Sequence, residues 1–373
     1  MSGENKFPLT LSSLLKHRKE NSLFRTLKTN YPGIDFSSND YLGFSTKGLL
    51  HYHVQKLDAS VKHGATGSRL ISGNSFLFED LEKEISQFHS AEAALIFNSG
   101  YDANLGLLSS VPQKGDLIIG DELIHASLID GIRLSFATHY KFKHNDIESL
   151  TDLLSRQREK FKEAYLVVES VYSMDGDLAP LTELVKLCKQ YNMHLIVDEA
   201  HAIGVFGHKG KGLCNELNIE KDCFARIYTY GKAMGCHGAA VLGNIELREY
   251  LINFSRSFIY TTAMPEHSVL SVKAAYQLLD ITNEIEKLRS VISYFNSKIK
   301  NIEGFIESNS SIHCKVVPGN ETVQALENKL ASAGIFVKSI KNPTVKETQE
   351  RLRICLHSYN TQEEMDQLFE LLA

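Results

Sequence analysis

Short apolar strands that alternate with helices between residues 93 and 242 constrain the fold of this chain more than any other sequence feature. Runs rich in Val, Ile, Leu and Ala predict strands at 93–98, 116–120, 139–143, 164–169, 194–198, 225–230 and 239–242. The segments 103–110, 126–137, 146–162 and 181–191 are predicted to be helices. Because strands that alternate with helices usually form one parallel sheet, we predict an α/β fold with a mainly parallel central sheet and helices on both faces.

The chain of 373 residues is long enough for one large domain with smaller lobes. We predict an N-terminal arm at 1–46, a large α/β domain at 47–264, a helical connection at 265–301 and a small C-terminal α+β domain at 302–373. A shift in composition near Pro265 marks the start of the helical connection. Thr361 and Glu364 form a capping-box pattern, which predicts the start of the last helix.

Charge and cysteine content argue against several classes of function. The net charge is −5 and no long basic run occurs, so nothing indicates binding to nucleic acid or to an anionic membrane. The sequence has no signal-like run and no stretch long enough to span a membrane, which leads us to expect a cytoplasmic enzyme. The six cysteines lack a CxxC spacing, so neither a disulfide framework nor a metal site is predicted.

Lys232 follows the predicted strand 225–230 in a run that contains Gly231, Gly235 and Gly238. The carboxyl ends of strands in an open α/β sheet line the crevice where such folds bind ligands. A lysine that is partly desolvated there can form a Schiff base. The alternative is a solvated loop lysine, because most lysines lie on the surface.

Two further strand ends carry residues with matching chemistry. At 98–104 a strand passes through Gly100 into a helix, whose first N–H groups and dipole suit a phosphate, although an ordinary turn has the same pattern. Asp198 ends the buried strand 194–198, and His201 follows three residues later. A buried aspartate needs a cationic or hydrogen-bond donor partner, which a protonated pyridinium nitrogen would supply. A metal or an N-cap role remains the alternative for this pair.

A phosphate cradle, an acid for a ring nitrogen and a Schiff-base lysine together form the binding set for pyridoxal 5'-phosphate. No G-x-G-x-x-G, P-loop, G-x-S-x-G or H-E-x-x-H motif occurs in the sequence. The dinucleotide, P-loop, serine-hydrolase and zinc-protease interpretations therefore lose their usual support.

Several motifs resemble the α-oxoamine synthases among fold-type I pyridoxal-phosphate enzymes. They are SSNDYLG (37–43), TGSRLISGN (66–74), IHASLIDG (124–131), VYSMDGDLAP (171–180), VDEAHAIGVFG (197–207), TYGKAMG (229–235), IYTTAMP (259–265) and NPTV (342–345). The resemblance covers nearly the whole chain. It implies the fold-type I transferase architecture, with a mainly parallel central sheet and a small C-terminal α+β domain.

The resemblance also assigns roles around the cofactor. Lys232 would carry the Schiff base and Asp198 would pair with the pyridinium nitrogen. His201 would hydrogen-bond the phenolic oxygen and His125 would stack on the ring. The further cofactor-binding positions are Gly100, Tyr101 and Thr229 at the phosphate, Ser173 near the cofactor, and Thr261 or Thr262, one of which would reach the phosphate of a neighbouring subunit. This last role implies a homodimer with its active site at the subunit interface.

Substrate-binding positions follow from the same resemblance. Arg353 would bind the carboxylate of the amino acid through a two-pronged hydrogen bond. Arg351 is the competing arginine, which strand alternation is expected to leave solvated. Arg25, Asn39 and Thr344 match other positions near the substrates.

The activity implied is a decarboxylative condensation of L-alanine with a pimeloyl thioester, as in biotin biosynthesis, with His125, Asp198, His201 and Lys232 as catalytic residues. A sister activity on glycine and acetyl-CoA, or on serine and a palmitoyl thioester, would use the same site. A nicotinamide oxidoreductase and a non-catalytic cofactor-binding subunit are the alternatives from other classes.

Overall fold

The structure is a computed structural model that describes residues 7–27, 29, 33–57, 61–300 and 302–372. The helices in chain order are α1 Leu9–Glu20, α2 Leu49–Lys56, α3 Phe76–Phe88, α4 Gly100–Ser110, α5 Ala126–Leu134, α6 Ile147–Gln157, α7 Leu181–Gln190, α8 Leu213–Glu216, α9 Ile245–Phe254, α10 Arg256–Ile259, α11 Glu266–Ile281, α12 Glu284–Ile299, α13 Asn320–Ser332 and α14 Gln362–Leu372. The strands are β1 Ile34–Asp35, β2 Ala93–Phe97, β3 Leu117–Asp121, β4 Thr138–Phe142, β5 Ala164–Glu169, β6 His194–Asp198, β7 Ala225–Thr229, β8 Ala239–Gly243, β9 Ile312–Val316, β10 Ile335–Phe336, β11 Lys338–Ile340 and β12 Arg351–Cys355.

The central sheet of the described chain has seven strands in the order β2-β8-β7-β6-β5-β3-β4. Five consecutive strands of the sheet run parallel to one another, and they are β7, β6, β5, β3 and β4. β8 runs antiparallel to both β7 and β2. The prediction of a mainly parallel sheet is confirmed, and the predicted strand bounds agree to within about two residues.

Most strands of this sheet are buried along their length because helices cover both faces. Every residue of the edge strand β2 and of the interior strands β3 and β5 is buried. β4, at the other edge, is largely exposed, and only Phe142 is buried there. This burial leaves the strands' carboxyl ends as the places where polar side chains emerge from the core, as expected for an open α/β sheet.

The C-terminal lobe contains a separate antiparallel sheet in the order β11-β12-β9. α14 begins with the predicted capping box, because the Thr361 N–H donates to Glu364 Oε2 at 3.0 Å and the Glu364 N–H donates to Thr361 Oγ1 at 3.2 Å. The apolar face of this helix is buried and consists of Met365, Leu368, Phe369 and Leu372. β1 pairs in parallel with β10, so the chain just after the N-terminal arm joins the C-terminal lobe.

The helix α1 has no buried residue, and the apolar side chains of Leu9, Leu11, Leu14 and Leu15 are exposed. None of the described helices is both long and apolar enough to cross a bilayer.

Candidate active site

The candidate site lies at the carboxyl ends of β5, β6 and β7, which are neighbours in the sheet. β6 ends at Asp198, and β7 ends at Thr229, three residues before Lys232. The N-termini of α4 and α5 also reach this edge, because their helices begin at Gly100 and Ala126 soon after β2 and β3. The three strand ends that the sequence singles out are thus brought to one edge of one sheet.

Asp198 is 5% exposed and accepts hydrogen bonds at both carboxylate oxygens. Oδ2 accepts from the Asn104 side-chain amide at 2.7 Å, and Oδ1 accepts from the Ala200 N–H at 2.9 Å. Both donors are neutral, and no ion pair of Asp198 occurs among the described residues. The carboxylate therefore keeps the capacity to accept a charged donor such as a pyridinium N–H.

Lys232 lies beside His201, with Nζ and Nε2 2.8 Å apart. On its other side, His201 Nδ1 lies 2.8 Å from the Tyr41 hydroxyl. Because that hydroxyl donates to Asn39 Oδ1 at 3.1 Å, the His201 Nδ1–H donates to the tyrosine oxygen and Nε2 accepts from the lysine amine. The hydrogen bonds thus favour one tautomer of a neutral His201.

Burial determines the protonation of this pair. Burial lowers the pKa of Lys232, and the opposing attraction of Asp198 and Glu169 does not cancel that effect. Burial also lowers the pKa of His201 well below its usual value, and the neighbouring Lys232 lowers it further. A lysine whose ammonium form is disfavoured is a better nucleophile and a better proton acceptor than a surface lysine.

His125 is the N-cap of α5, and its Nδ1 accepts from the Ser127 N–H at 3.2 Å. The Ser127 hydroxyl lies 2.7 Å from the same nitrogen and accepts from the Asn104 amide at 3.0 Å. Asn104 therefore links the ring of His125, through Ser127, to the carboxylate of Asp198. Burial lowers the pKa of His125, which favours the neutral ring.

The start of α4 has the geometry that the predicted phosphate site requires. A Cβ on Gly100 would lie 2.3 Å from Thr229 Oγ1, so only glycine lets the threonine hydroxyl approach this helix end. The Ser99 side chain caps the helix by accepting from the Asp102 N–H at 3.1 Å. The Tyr101 ring is 44% exposed and its hydroxyl donates to Asp130.

Arg353 and Asn39 form a second polar group next to these residues. Arg353 is 7% exposed, its Nε donates to the Ser173 carbonyl at 2.6 Å, and one Nη donates to Asn39 Oδ1 at 3.1 Å. Asn39 also accepts from Tyr41, so the arginine is connected to His201 and Lys232 by hydrogen bonds. A buried guanidinium without a carboxylate partner among the described residues is suited to bind the carboxylate of a ligand.

The expectation that Arg351 is solvated is wrong. Arg351 is 5% exposed, forms an ion pair with Asp175, and donates from Nε to the Gln349 carbonyl at 2.8 Å. Arg351 and Arg353 are two residues apart in β12, so alternation places them on the same face of the strand and cannot leave one of them in solvent. The VYSMDGDLAP segment covers this face, because Arg353 donates to the Ser173 carbonyl and Arg351 pairs with Asp175. Asp175 therefore neutralises the charge of Arg351, whereas Arg353 has no carboxylate partner among the described residues.

The remaining predicted positions differ in where they lie. Thr344 lines a cleft of about 880 Å³ together with His125 and Ser173. Thr261 accepts from the Asn98 side-chain amide at 3.1 Å, whereas the neighbouring Thr262 is exposed and uses its carbonyl for Asn98 at 2.8 Å. Arg25 is exposed, has no hydrogen bond or ion pair with any described residue, and is not brought into the group.

Tyr41, Asn104 and Ser127 are functional candidates that the sequence interpretation did not assign. Each is a polar side chain that is almost completely buried and hydrogen-bonded to a predicted site residue. Tyr41 lies within the SSNDYLG motif and Ser127 within IHASLIDG, so motif membership was the available signal. The sequence signal for Asn104 was weaker, because it was only that of a polar residue one helical turn after Gly100.

These residues fit pyridoxal 5'-phosphate. A glycine that a Cβ could not replace, a helix start and the hydroxyl of Thr229 suit the phosphate. Asp198 has room for a ring N–H, His125 is beside it, and the amine of Lys232 is desolvated. Among the described residues no cluster of His, Cys, Asp and Glu has the arrangement of a metal site.

Comparison with known proteins agrees with this geometry. A family model described as aminotransferase class I and II matches residues 31–372, and the chain belongs to that family. Within it, the chain is an α-oxoamine synthase, a pyridoxal 5'-phosphate-dependent acyltransferase of the fold-type I architecture.

Two of the similar curated proteins are named as the same enzyme. A protein of Emericella nidulans named 8-amino-7-oxononanoate synthase is 42% identical over 384 residues, covering 95% of this chain and 93% of the relative. A protein of Geobacillus kaustophilus named putative 8-amino-7-oxononanoate synthase is 39% identical, covering 95% of this chain and 92% of the relative.

Solved structures give the same result for the fold. 8-Amino-7-oxononanoate synthase from Francisella tularensis has a TM-score of 0.79 at 31% identity and covers 91% of this chain and 96% of its own. Serine palmitoyltransferase from Sphingomonas wittichii has a TM-score of 0.88 at 26% identity and covers 99% of this chain and 96% of its own. Of these two structures, the serine palmitoyltransferase has the higher TM-score but the lower sequence identity to this chain.

Proposed function

We propose that this enzyme condenses L-alanine with a pimeloyl thioester, either pimeloyl-CoA or a pimeloyl carrier protein, in the cytoplasm as a step of biotin biosynthesis. The products are 8-amino-7-oxononanoate, CO2 and the free thiol. The observation that carries the proposal is the desolvated amine of Lys232 held by His201 next to Asp198. The name shared by relatives at 42% and 39% identity supports the choice of substrates.

The chain's own residues divide the work on alanine. Arg353 and Asn39 bind its carboxylate, since the guanidinium is buried and lacks an acidic partner among the described residues. Lys232 takes the proton from the α-carbon onto Nζ, which the lowered pKa of its ammonium form permits. His201 accepts from and orients that amine while Tyr41 fixes its tautomer.

Pyridoxal 5'-phosphate supplies the electron sink that makes the α-carbon of alanine a nucleophile. Asp198 would keep the ring nitrogen protonated, and His125 would pack on the ring. Ser173 would lie near the cofactor, and Gly100, Tyr101 and Thr229 would bind its phosphate. A bond then forms between the alanine α-carbon and the thioester carbonyl carbon, and the C–S bond breaks, so that the thiolate leaves and takes a proton from solvent. The original carboxylate leaves as CO2, and Lys232 returns its proton to the α-carbon.

The acyl thioester enters through the cleft of about 880 Å³ between His125 and the 342–349 loop. Thr344 contacts the acyl substrate there, and Arg25 reaches it from the N-terminal arm. The cleft includes apolar Leu123, Ile124 and Ile129 as well as the Glu122–Lys346 ion pair at its exposed side. This mixture suits a chain with an apolar middle and a polar end.

The enzyme works as a homodimer in which Thr261 or Thr262 of one subunit reaches the phosphate of the other. The exposure of Thr262, together with the intrachain hydrogen bond of Thr261, favours Thr262 for this contact. Exposed apolar side chains on nearby segments support a subunit interface: Ile71 is 85% exposed and Tyr260 is 72% exposed.

A substrate panel tests the proposal. Purified enzyme loaded with cofactor is given alanine, glycine or serine, each with a pimeloyl, acetyl or palmitoyl thioester of CoA, and a pimeloyl carrier protein is tested beside pimeloyl-CoA. Mass spectrometry should detect 8-amino-7-oxononanoate only from alanine with pimeloyl donors. Turnover of glycine with acetyl-CoA, without any product from alanine, would refute the substrate assignment but not the class of enzyme.

A further inference from the structure

Glu169 is a buried carboxyl group at the site that the proposed mechanism does not use. It ends β5 and is the register neighbour of Asp198 on β6, which places the two side chains on the same face of the sheet. Glu169 is 3% exposed and has no ion pair with Lys, Arg or His among the described residues. Two adjacent buried carboxyl groups cannot both be ionised without a large electrostatic cost.

The hydrogen-bond donors around the two carboxyl groups differ. Both oxygens of Asp198 have a donor, from Asn104 and Ala200. Glu169 Oε2 accepts from the Ser173 N–H at 3.2 Å, and the nearby backbone N–H of His125 lowers the pKa of this carboxyl group. Glu169 Oε1 is buried and has no hydrogen-bond partner. The negative charge is therefore better supported on Asp198, and the unpartnered Oε1 is the natural position for a proton.

We propose that Glu169 is a positioning residue that stays protonated at neutral pH, holding the backbone amides of His125 and Ser173 while leaving Asp198 as the only anion of the pair. The titratable groups that face it are Asp198 from β6, Lys232 from the turn after β7 and Tyr172 from the segment after β5. Burial and the charge of Asp198 raise the pKa of Glu169 to about 8, against the opposing effect of Lys232.

The proton has a consequence for the lysine. An ionised Glu169 would add a second negative charge near Lys232 and favour its ammonium form, because both carboxylates raise the pKa of that amine. A neutral Glu169 removes one of the two attractions that oppose burial, so the pKa of Lys232 falls further and the amine stays available. This consequence depends on the proposed role of Lys232, whereas the charge state of Glu169 does not.

The cofactor-free protein tests the charge state independently of catalysis. Infrared difference spectra between pH 7 and pH 9 should show loss of the C=O stretch of a protonated carboxyl group in wild type. Glu169→Gln should lack this change. If the pH 7 spectrum of wild type contains no such titrating band, the proposal is overturned, and this measurement does not require the variant to fold.

Thermal unfolding of the same cofactor-free proteins gives a second readout. Because the pKa of Glu169 is higher in the folded protein, its contribution to stability is full below about pH 4.5 and is lost as pH rises to about 8. The melting temperature of Glu169→Gln minus that of wild type should therefore rise between pH 5 and pH 8. A difference that does not change with pH would contradict the proposal.

Glu82→Gln is the matched control. Glu82 is equally buried but is paired with Arg69 and with Arg248 at 2.8 Å, so it is an anion that the fold neutralises. Its replacement should lower the melting temperature, and the difference from wild type should not become more positive between pH 5 and pH 8.

Glu169→Ala, which removes the acceptor for both amides, should bind pyridoxal phosphate about tenfold more weakly than Glu169→Gln. Equal affinities of the two variants would contradict the positioning role.

Discussion

Among the described residues, the amine of Lys232 has one hydrogen-bond partner, the imidazole of His201, and that imidazole is in turn fixed by Tyr41. All three side chains lie in or against the core, where a misplaced proton has a high energetic cost. Asp198 and Arg353 act on the pKa of Lys232 with opposite charges, because Asp198 raises it and Arg353 lowers it. At the scale of single residues, the site thus combines one neutral base with two fixed charges.

Lys232→Ala should abolish condensation, with at least a thousandfold loss of kcat, because the variant has neither the nucleophile nor the base. The fold should remain, since the amine makes a single hydrogen bond to the protein. Product formation and thermal unfolding measure the two effects. Lys209→Ala, which removes an exposed lysine paired with Asp280, serves as control and should keep full activity. Substantial turnover by Lys232→Ala would refute the assignment of the base.

Gly100→Ala should weaken cofactor binding by tenfold or more, because its Cβ would lie 2.3 Å from Thr229 Oγ1 and push that hydroxyl out of the cradle. Fluorescence or absorbance titration with pyridoxal 5'-phosphate gives the affinity. A Cβ on Gly64 would meet no atom within 4 Å, so Gly64→Ala is the control. Unchanged affinity in Gly100→Ala would mean that the phosphate lies elsewhere.

At the scale of elements, His144 joins β3 to the loop after β5. Its Nδ1 lies 2.9 Å from Asp121 at the end of β3, and its Nε2 lies 2.8 Å from Asp177 in the VYSMDGDLAP segment. Burial alone would lower the pKa of His144, but Asp121 and Asp177 together raise it to about 10. This imidazolium therefore holds the segment that carries Ser173 against the sheet at neutral pH.

The stability that His144 contributes should depend on pH in a defined direction. Because its pKa is higher in the folded protein, the contribution is full below about pH 6.5 and is lost as pH rises to about 10. His144→Gln should melt about 5 °C below wild type at pH 6, and the difference should shrink towards pH 10. Thermal unfolding at pH 6, 8 and 10 measures this. A constant difference would show that the histidine is not charged in the folded protein.

At the scale of the whole molecule, the site is assembled from both lobes of the chain. Arg353 from the C-terminal lobe donates to the Ser173 carbonyl, and Arg351 pairs with Asp175 in the same segment. Ser308 and Ser310 both donate to the Gly176 carbonyl at 2.8 Å. The segment 171–180 is therefore the contact through which the small lobe is aligned with the sheet.

A proposed homodimer adds a second level of assembly. Tyr260→Asp combined with Ile71→Asp should yield a monomer that binds pyridoxal phosphate at least tenfold more weakly, because the neighbouring subunit's hydroxyl would be lost. Light scattering and cofactor titration measure the two effects. Phe136→Asp is the control, because Phe136 is 83% exposed but precedes β4, at the opposite sheet edge from β2. A double variant that remains dimeric would place the interface elsewhere.

The sequence predicts the strand ends well and the supporting residues poorly. Hydrophobic runs locate the ends of β6 and β7, and therefore Asp198 and Lys232, because a buried strand must be apolar along its length. Tyr41 and Ser127 come from a loop and a helix start, where no periodicity reveals which polar side chain turns inward. Arg351 was assigned wrongly because residues two apart in a strand share a face, so Arg351 is covered by the same segment as Arg353.

Arg353 and Lys232 belong to different lobes, and this separation affects the order of events in the proposed reaction. In the proposed reaction alanine would be anchored at two points, its carboxylate by Arg353 in the small lobe and its α-carbon by the groups around Lys232 in the large domain. The reaction discards the carboxylate as CO2. The product consequently leaves without the anchor with which the substrate arrived, so the step that completes the chemistry also weakens the enzyme's hold on what it has made. Release of the product is in this sense built into the reaction itself, and free alanine should displace the amino-ketone more easily than the reverse.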